Sequence, residues 1–212
     1  MVSFLKTQGI RISQKQTEQL SGYYNQLKHW NRKHNLVSHN DENYLVERHF
    51  LPSFLYVYYL LQDGFYENKR LVDIGSGGGF PGIIISICFP DREITLIESI
   101  RKKTLFLKAV IKELNLNAAV IGERIEMQKA EEYDIITARA LAALNRLDDY
   151  AKNLLTYSGR LYTIKGCDFE KEIAGRLNLF LEKKEIPAKW QAFSDRFSEK
   201  KMIVLKKTAA FK

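Results

Sequence analysis

The chain has 212 residues, 45% hydrophobic and 12% aromatic. That content fits one large domain, or one domain with a small appendage, and excludes a low-complexity chain. Lysine and arginine number 33 against 25 acids, a net charge of +8, which points to an anionic partner such as nucleic acid, an acidic membrane surface or a phosphorylated ligand.

Ser13-Gln14-Lys15-Gln16 matches a capping box. Behind it Leu20, Tyr23, Tyr24, Leu27 and Trp30 recur at helical spacing and predict an amphipathic helix over residues 14–34, with Lys28, Arg32 and Lys33 largely off the apolar stripe. A polar loop follows, then a helix from about Asp41 that carries Arg48 and His49. Pro52 ends it or opens the next, over 53–61. From Arg70 strands and helices alternate: strands at 71–74, 93–97, 118–121, 133–138 and 160–164, and helices at 82–89, 102–114 and 147–155. A weaker helix over 170–181, interrupted by Gly175, precedes two closing strands at 183–190 and 201–205. The pattern predicts an α/β fold: a mostly parallel, doubly covered sheet whose closing strands pair antiparallel at one edge. Residues 1–67 read as a helical unit and 68–212 as the α/β domain.

Cys88 and Cys167 suggest no disulfide framework, and the four histidines lack zinc-like spacing, so no metal is expected. The first ten residues are too polar for a signal peptide, and no run approaches a membrane span. A cytoplasmic protein is expected.

The first strand runs through Asp73 into Gly75-Ser76-Gly77-Gly78-Gly79-Phe80-Pro81-Gly82. A strand, a glycine turn and a helix N-terminus form a nucleotide-type site, with Gly75, Gly77 and Gly79 giving close backbone approach. The glycines alone also fit a dinucleotide. Three features favour S-adenosyl-L-methionine: Asp73, a carboxylate able to receive an ammonium group where a pyrophosphate would be repelled; Glu98, an acid ending the second strand that can accept from ribose hydroxyls; and the paired closing strands, as in class I (Rossmann-like) methyltransferases.

The run 71–82 resembles the ribosomal small-subunit RNA methyltransferase G family, also called glucose-inhibited division protein B. Trp30-Asn31, Asn35-Leu36-Val37-Ser38, Glu47-Arg48-His49, Leu96-Ile97-Glu98-Ser99, Ala138-Arg139-Ala140 and Lys165-Gly166 agree with it. The resemblance implies a seven-stranded sheet with the last strand antiparallel, and transfer of a methyl group from S-adenosyl-L-methionine to N7 of one guanine in 16S ribosomal RNA. By position, Gly75 and Phe80 line the cofactor cleft, Ile125 and Glu126 flank the adenine, and Arg139 faces cofactor and substrate. The family's usual aspartate before Ser53 is Pro52 here. Guanine N7 carries a lone pair and no proton, so no general base is needed. His49, Lys165 and Arg139 are the candidates for positioning the substrate, and a monomer acting on 16S RNA or the small subunit is expected.

Overall fold

The structure, a computed structural model, describes residues 1–65, 69–128, 133–173, 175 and 177–208. The domain boundary expected at 67–68 falls outside them. Helices α1 (Val2–Thr7), α2 (Gln14–His34) and α3 (Leu51–Gln62) precede the sheet. Ser13 caps α2 in the expected capping box: its hydroxyl accepts from Gln16 N–H at 3.2 Å, and the Gln16 side chain accepts from Ser13 N–H at 2.8 Å. The helix expected from Asp41 is instead a 3-10 turn (His39–Tyr44) and a π-turn (Val46–Phe50) running straight into α3. Pro52 therefore lies in the first turn of α3, where its missing N–H removes one main-chain donor at the junction with the π-turn.

The chain then alternates β1 (Leu71–Ile74), α4 (Gly82–Cys88), β2 (Ile94–Ile97), α5 (Arg101–Glu113), β3 (Ala118–Ile121), β4 (Tyr133–Ala138), α6 (Leu144–Leu154) and β5 (Leu155–Gly166). It closes with β6 (Phe180–Glu185), α7 (Ala188–Phe193) and β7 (Lys200–Lys206). The seven strands lie in the order β3-β2-β1-β4-β5-β7-β6, with β7 antiparallel to both neighbours and the other pairings parallel. Two expectations fail at this edge. Among the described residues, the segment expected as a helix over 170–181 forms only a 3-10 turn at Phe169–Glu172 and the start of β6, and residues expected to extend the penultimate strand fold as α7.

Alternation along the strands divides the core. Leu71, Leu96, Ile135 and Tyr162 face α2, α3, α4, α5 and α7, whereas Val72, Ile74, Ile136 and Leu161 face α6. The N-terminal helices therefore share one core with a face of the sheet. Helix α2 lies antiparallel to α5: Gln19 Nε2 donates to the Leu114 carbonyl at 2.9 Å, and further along Trp30 packs on Phe106 with ring centroids 5.6 Å apart. This brings the C-terminal turn of α2 beside the first turn of α5.

The glycine turn is held from beneath. Gly82 N–H donates to Asp73 Oδ2 at 3.1 Å, and a Cβ on Gly82 would stand 2.1 Å from Leu96 Cδ2 and 2.7 Å from Asp73 Oδ2. Gly82→Ala is therefore expected to destabilise the fold by about 2–3 kcal/mol, as overpacking in a closed core does. A lowered urea midpoint at unchanged slope is the expected reading.

Candidate active site

The carboxyl ends of β1, β2 and β4 open on a cleft of about 400 Å³ lined by Gly75, Glu98, Ile125, Glu126, Leu141 and Tyr150, among others. Gly75 sits at φ +66°, and a Cβ there would lie 2.4 Å from Leu141 Cδ1. The N–H groups of Gly75 and Ser76 donate to the Ile97 carbonyl at 2.9 and 3.1 Å, which ties the turn to the end of β2.

Glu98 is 6% exposed. One carboxylate oxygen accepts from Gly77 N–H at 2.9 Å and the other from Ile100 N–H at 2.8 Å. Each oxygen keeps a lone pair for a further donor, so two neighbouring hydroxyls can be received without breaking a protein bond. Gly77 thus contributes through Glu98. Glu126 accepts from the Tyr150 hydroxyl at 2.9 Å and pairs with Arg146 at 3.1 Å, which ties the 3-10 turn Ile125–Met127 to α6. Arg146 and Tyr150 were not foreseen. Their i,i+4 spacing on a helix was the available signal.

Asp73 lies beneath the glycine turn. Its carboxylate is fully buried and accepts from Thr137 Oγ1 at 2.8 Å and from Gly82 N–H. Burial lifts it to about 6, against the hydrogen bonds of Thr137, Ser76 and Gly82. It sits under the turn, on the face of β1 turned toward α4. Gly79 and Phe80 also face the helices rather than the cleft. A Cβ on Gly79 would meet Tyr23 Oη at 2.8 Å. Phe80 packs against Tyr23, His49 and Phe50, with ring centroids 5.1–5.3 Å apart.

Arg139 follows β4 and lies over the Phe80 ring, 5.1 Å from its centroid. Nη1 donates to the carbonyls of Arg48 (3.2 Å) and His49 (3.4 Å), and Nη2 meets His49 Nδ1. The structure therefore brings His49 and Arg139 together. Lys165 is not with them. Its side chain is 10% exposed, and Nζ donates to the Ala142 carbonyl at 2.7 Å and pairs with Glu172 at 2.6 Å. Glu172 also accepts from Leu144 N–H at 3.0 Å. Lys165 thus pins the loop between β4 and α6.

The family model described as rRNA small subunit methyltransferase G matches residues 16–202. A protein of that name from Roseiflexus castenholzii is 39% identical over 171 residues, covering 78% of this chain and 71% of the relative. One from Escherichia fergusonii is 38% identical over 174 residues and covers 81% of each. A SAM dependent methyltransferase from Aquifex aeolicus shares the fold at TM-score 0.55 and 13% identity, covering 76% of this chain and 92% of that one. The match to the family model spans the glycine turn, the Glu98 cleft and the Arg139 loop, and the chain belongs to the rRNA small subunit methyltransferase G family.

Proposed function

We propose that this chain transfers a methyl group from S-adenosyl-L-methionine to N7 of a guanine in 16S ribosomal RNA. One observation carries the reading: in a chain of this family, Gly75, Glu98 and Ile125 converge on one cleft at the carboxyl ends of β1 and β2. The donor set suits the cofactor. Glu98 would take the ribose hydroxyls on its remaining lone pairs, Ile125 the adenine face, and Gly75 leaves room for the chain between them. Bound there, S-adenosyl-L-methionine supplies a methyl group activated by its sulfonium.

The protein's part is alignment and exclusion of water. Guanine N7 must keep its lone pair free, and the ring becomes positive as it is methylated. Three of the five N–H donors of Arg139 are engaged by Arg48 and His49. Nε–H and one Nη2–H are left to hold a carboxylate or the guanine O6, which orients the base without blocking N7. This favours Arg139 and His49 as the positioning pair.

The charge supports an RNA substrate. Arg32 and Lys33 end α2 beside Arg101 and Lys102 on the first turn of α5, and all four are exposed. That first turn holds no acidic residue, although a helix N-terminus favours anions over cations. Phosphates bound across the ridge would offset this local cost. No helix among the described residues is long and apolar enough to cross a membrane. The reading has the enzyme in the cytoplasm, where its RNA is, working as a monomer.

The test is transfer of labelled methyl to small-subunit RNA, with product mapped to one guanine. RNA in which that guanine is 7-deazaguanine, with carbon in place of N7, is expected to take up no label. Undiminished transfer to it would overturn the N7 assignment.

A further inference from the structure

Asp41, in the 3-10 turn His39–Tyr44, has no part in the cleft described above. Its two oxygens hold two different side chains: Oδ1 pairs with Arg48 Nη1, and Oδ2 lies 3.1 Å from His49 Nε2. His49 is 9% exposed, and its other ring nitrogen, Nδ1, meets Arg139 Nη2. A guanidinium only donates, so Nδ1 must accept, and the ring proton resides on Nε2 and is donated to Asp41.

The charges agree with this order. Burial and then the Arg139 charge lower His49 to about 4, so the ring is neutral near pH 7. Burial pushes the Asp41 carboxyl up, but hydrogen bonds from Arg48 and His49 outweigh it and hold it below the usual carboxylate range. The chain of contacts therefore runs from an ionised carboxylate through a neutral imidazole to a guanidinium. Without the carboxylate, only the Arg139 donor still selects between the two imidazole tautomers. The wrong one turns an N–H against the guanidinium, donor against donor, and drives Arg139 out of its place over Phe80.

We infer that Asp41 is a positioning residue for the methyl transfer: it helps fix the tautomer of His49, and His49 fixes the rotation of the Arg139 guanidinium over Phe80. The inference rests on the role given to Arg139 under the proposed function.

The test compares wild type, Asp41→Ala and Asp41→Asn in the full chain. Nitrogen NMR of the imidazoles reads the tautomer, with the His49 signals assigned by their loss in His49→Gln. Methyl transfer to small-subunit RNA reads the chemistry. Wild type is expected to show a single Nε2–H tautomer. Asp41→Ala is expected to mix the tautomers and lower kcat by about ten- to a hundredfold, the range for losing a partner that orients a functional histidine. The KM for RNA and the Kd for S-adenosyl-L-methionine are expected to stay within about threefold. The amide oxygen of Asp41→Asn still accepts from Nε2–H, so this variant is expected to keep the tautomer and stay within about fivefold of wild-type kcat.

Three results would overturn the inference: an Nδ1–H tautomer in wild type, wild-type kcat in Asp41→Ala, or equal kcat losses in Ala and Asn with the tautomer unchanged. If Asp41→Ala does not fold, the wild-type and Asn spectra and rates decide. If wild type transfers no methyl to RNA, the proposed function fails, and the spectra still decide whether Asp41 sets the tautomer.

Discussion

Arg139→Ala is expected to lower kcat for methyl transfer by about a hundredfold or more, the scale for removing one preorganised charged donor from an active site. The guanidinium bridges two parts of the chain that are distant in sequence. It leaves the end of β4, lies over Phe80 from the glycine turn, and donates to Arg48 and His49 in the π-turn before α3. Truncation leaves two carbonyls and one imidazole nitrogen without their donor, and roughly 1–3 kcal/mol of stability goes with each such orphaned group that stays buried. Loss of activity must therefore be separated from loss of fold. Arg139→Lys does this, because it keeps the charge and the long stem but replaces a planar fork with a point. Its melting temperature is expected to stay within about 5 °C of wild type, while its kcat still falls by about tenfold or more, since one ammonium cannot meet both carbonyls and the ring and still present a second edge. Cofactor affinity, read by calorimetry, is expected to fall less than kcat, because Glu98, Gly75 and Ile125 line the cleft and Arg139 does not. A rate for Arg139→Ala within threefold of wild type would remove the residue from the mechanism.

How much of this was legible depends on where each residue's partners lie. Strands β1, β3 and β4 were read from sequence to the residue, because short apolar runs bounded by turns carry their own signal. The edge carries none. In β6 every residue is exposed or half-buried, and Lys206–Glu182 and Lys201–Glu185 ion pairs link it to β7, so the apolar alternation is diluted by charge. The segment before it is rich in Glu, Lys and Leu and reads as a helix, but Glu172 is drawn away to Lys165 and to the start of α6. The cleft was legible in Glu98, Gly75 and Ile125, which occupy strand and turn ends. Asp41 was not: its partner His49 is eight residues on, and a 3-10 turn followed by a π-turn joins them, a geometry with no sequence period. The orientation of Asp73 was also hidden. A carboxylate at a strand end can point past the end or off one face, and only the packed neighbours decide.

Those neighbours make Asp73→Ala the most disruptive single change expected beneath the site. It would leave Thr137 Oγ1 and Gly82 N–H without their acceptor in a fully buried setting, and a loss of about 3–4 kcal/mol is expected, the scale of breaking a buried polar network. Asp73→Asn is the sharper probe, since the amide can still accept from Gly82 N–H. Burial raises the folded-state carboxyl from 3.8 to about 6. Below about pH 4 the acid is protonated in both folded and unfolded chains and carries no penalty. Between pH 4 and 6 the unfolded chain releases its proton first, so the folded state binds more protons there and wild-type stability falls as pH rises. The full difference, about 3 kcal/mol, is reached above pH 6. Asp73→Asn has no such proton to lose. Its stability relative to wild type is therefore expected to improve by up to about 3 kcal/mol between pH 4 and 7, read from urea midpoints. Because the carboxylate lies under the turn and not in the cleft, the same variant is expected to bind S-adenosyl-L-methionine within about fivefold of wild type. The ammonium contact first expected of Asp73 implies the opposite: removing a charged hydrogen bond to the ligand would weaken binding by at least tenfold at unchanged pH dependence of folding. A large loss of affinity with parallel stability curves would return Asp73 to the cofactor; a small loss with diverging curves would keep it as the latch that holds Gly82 and the glycine turn in place.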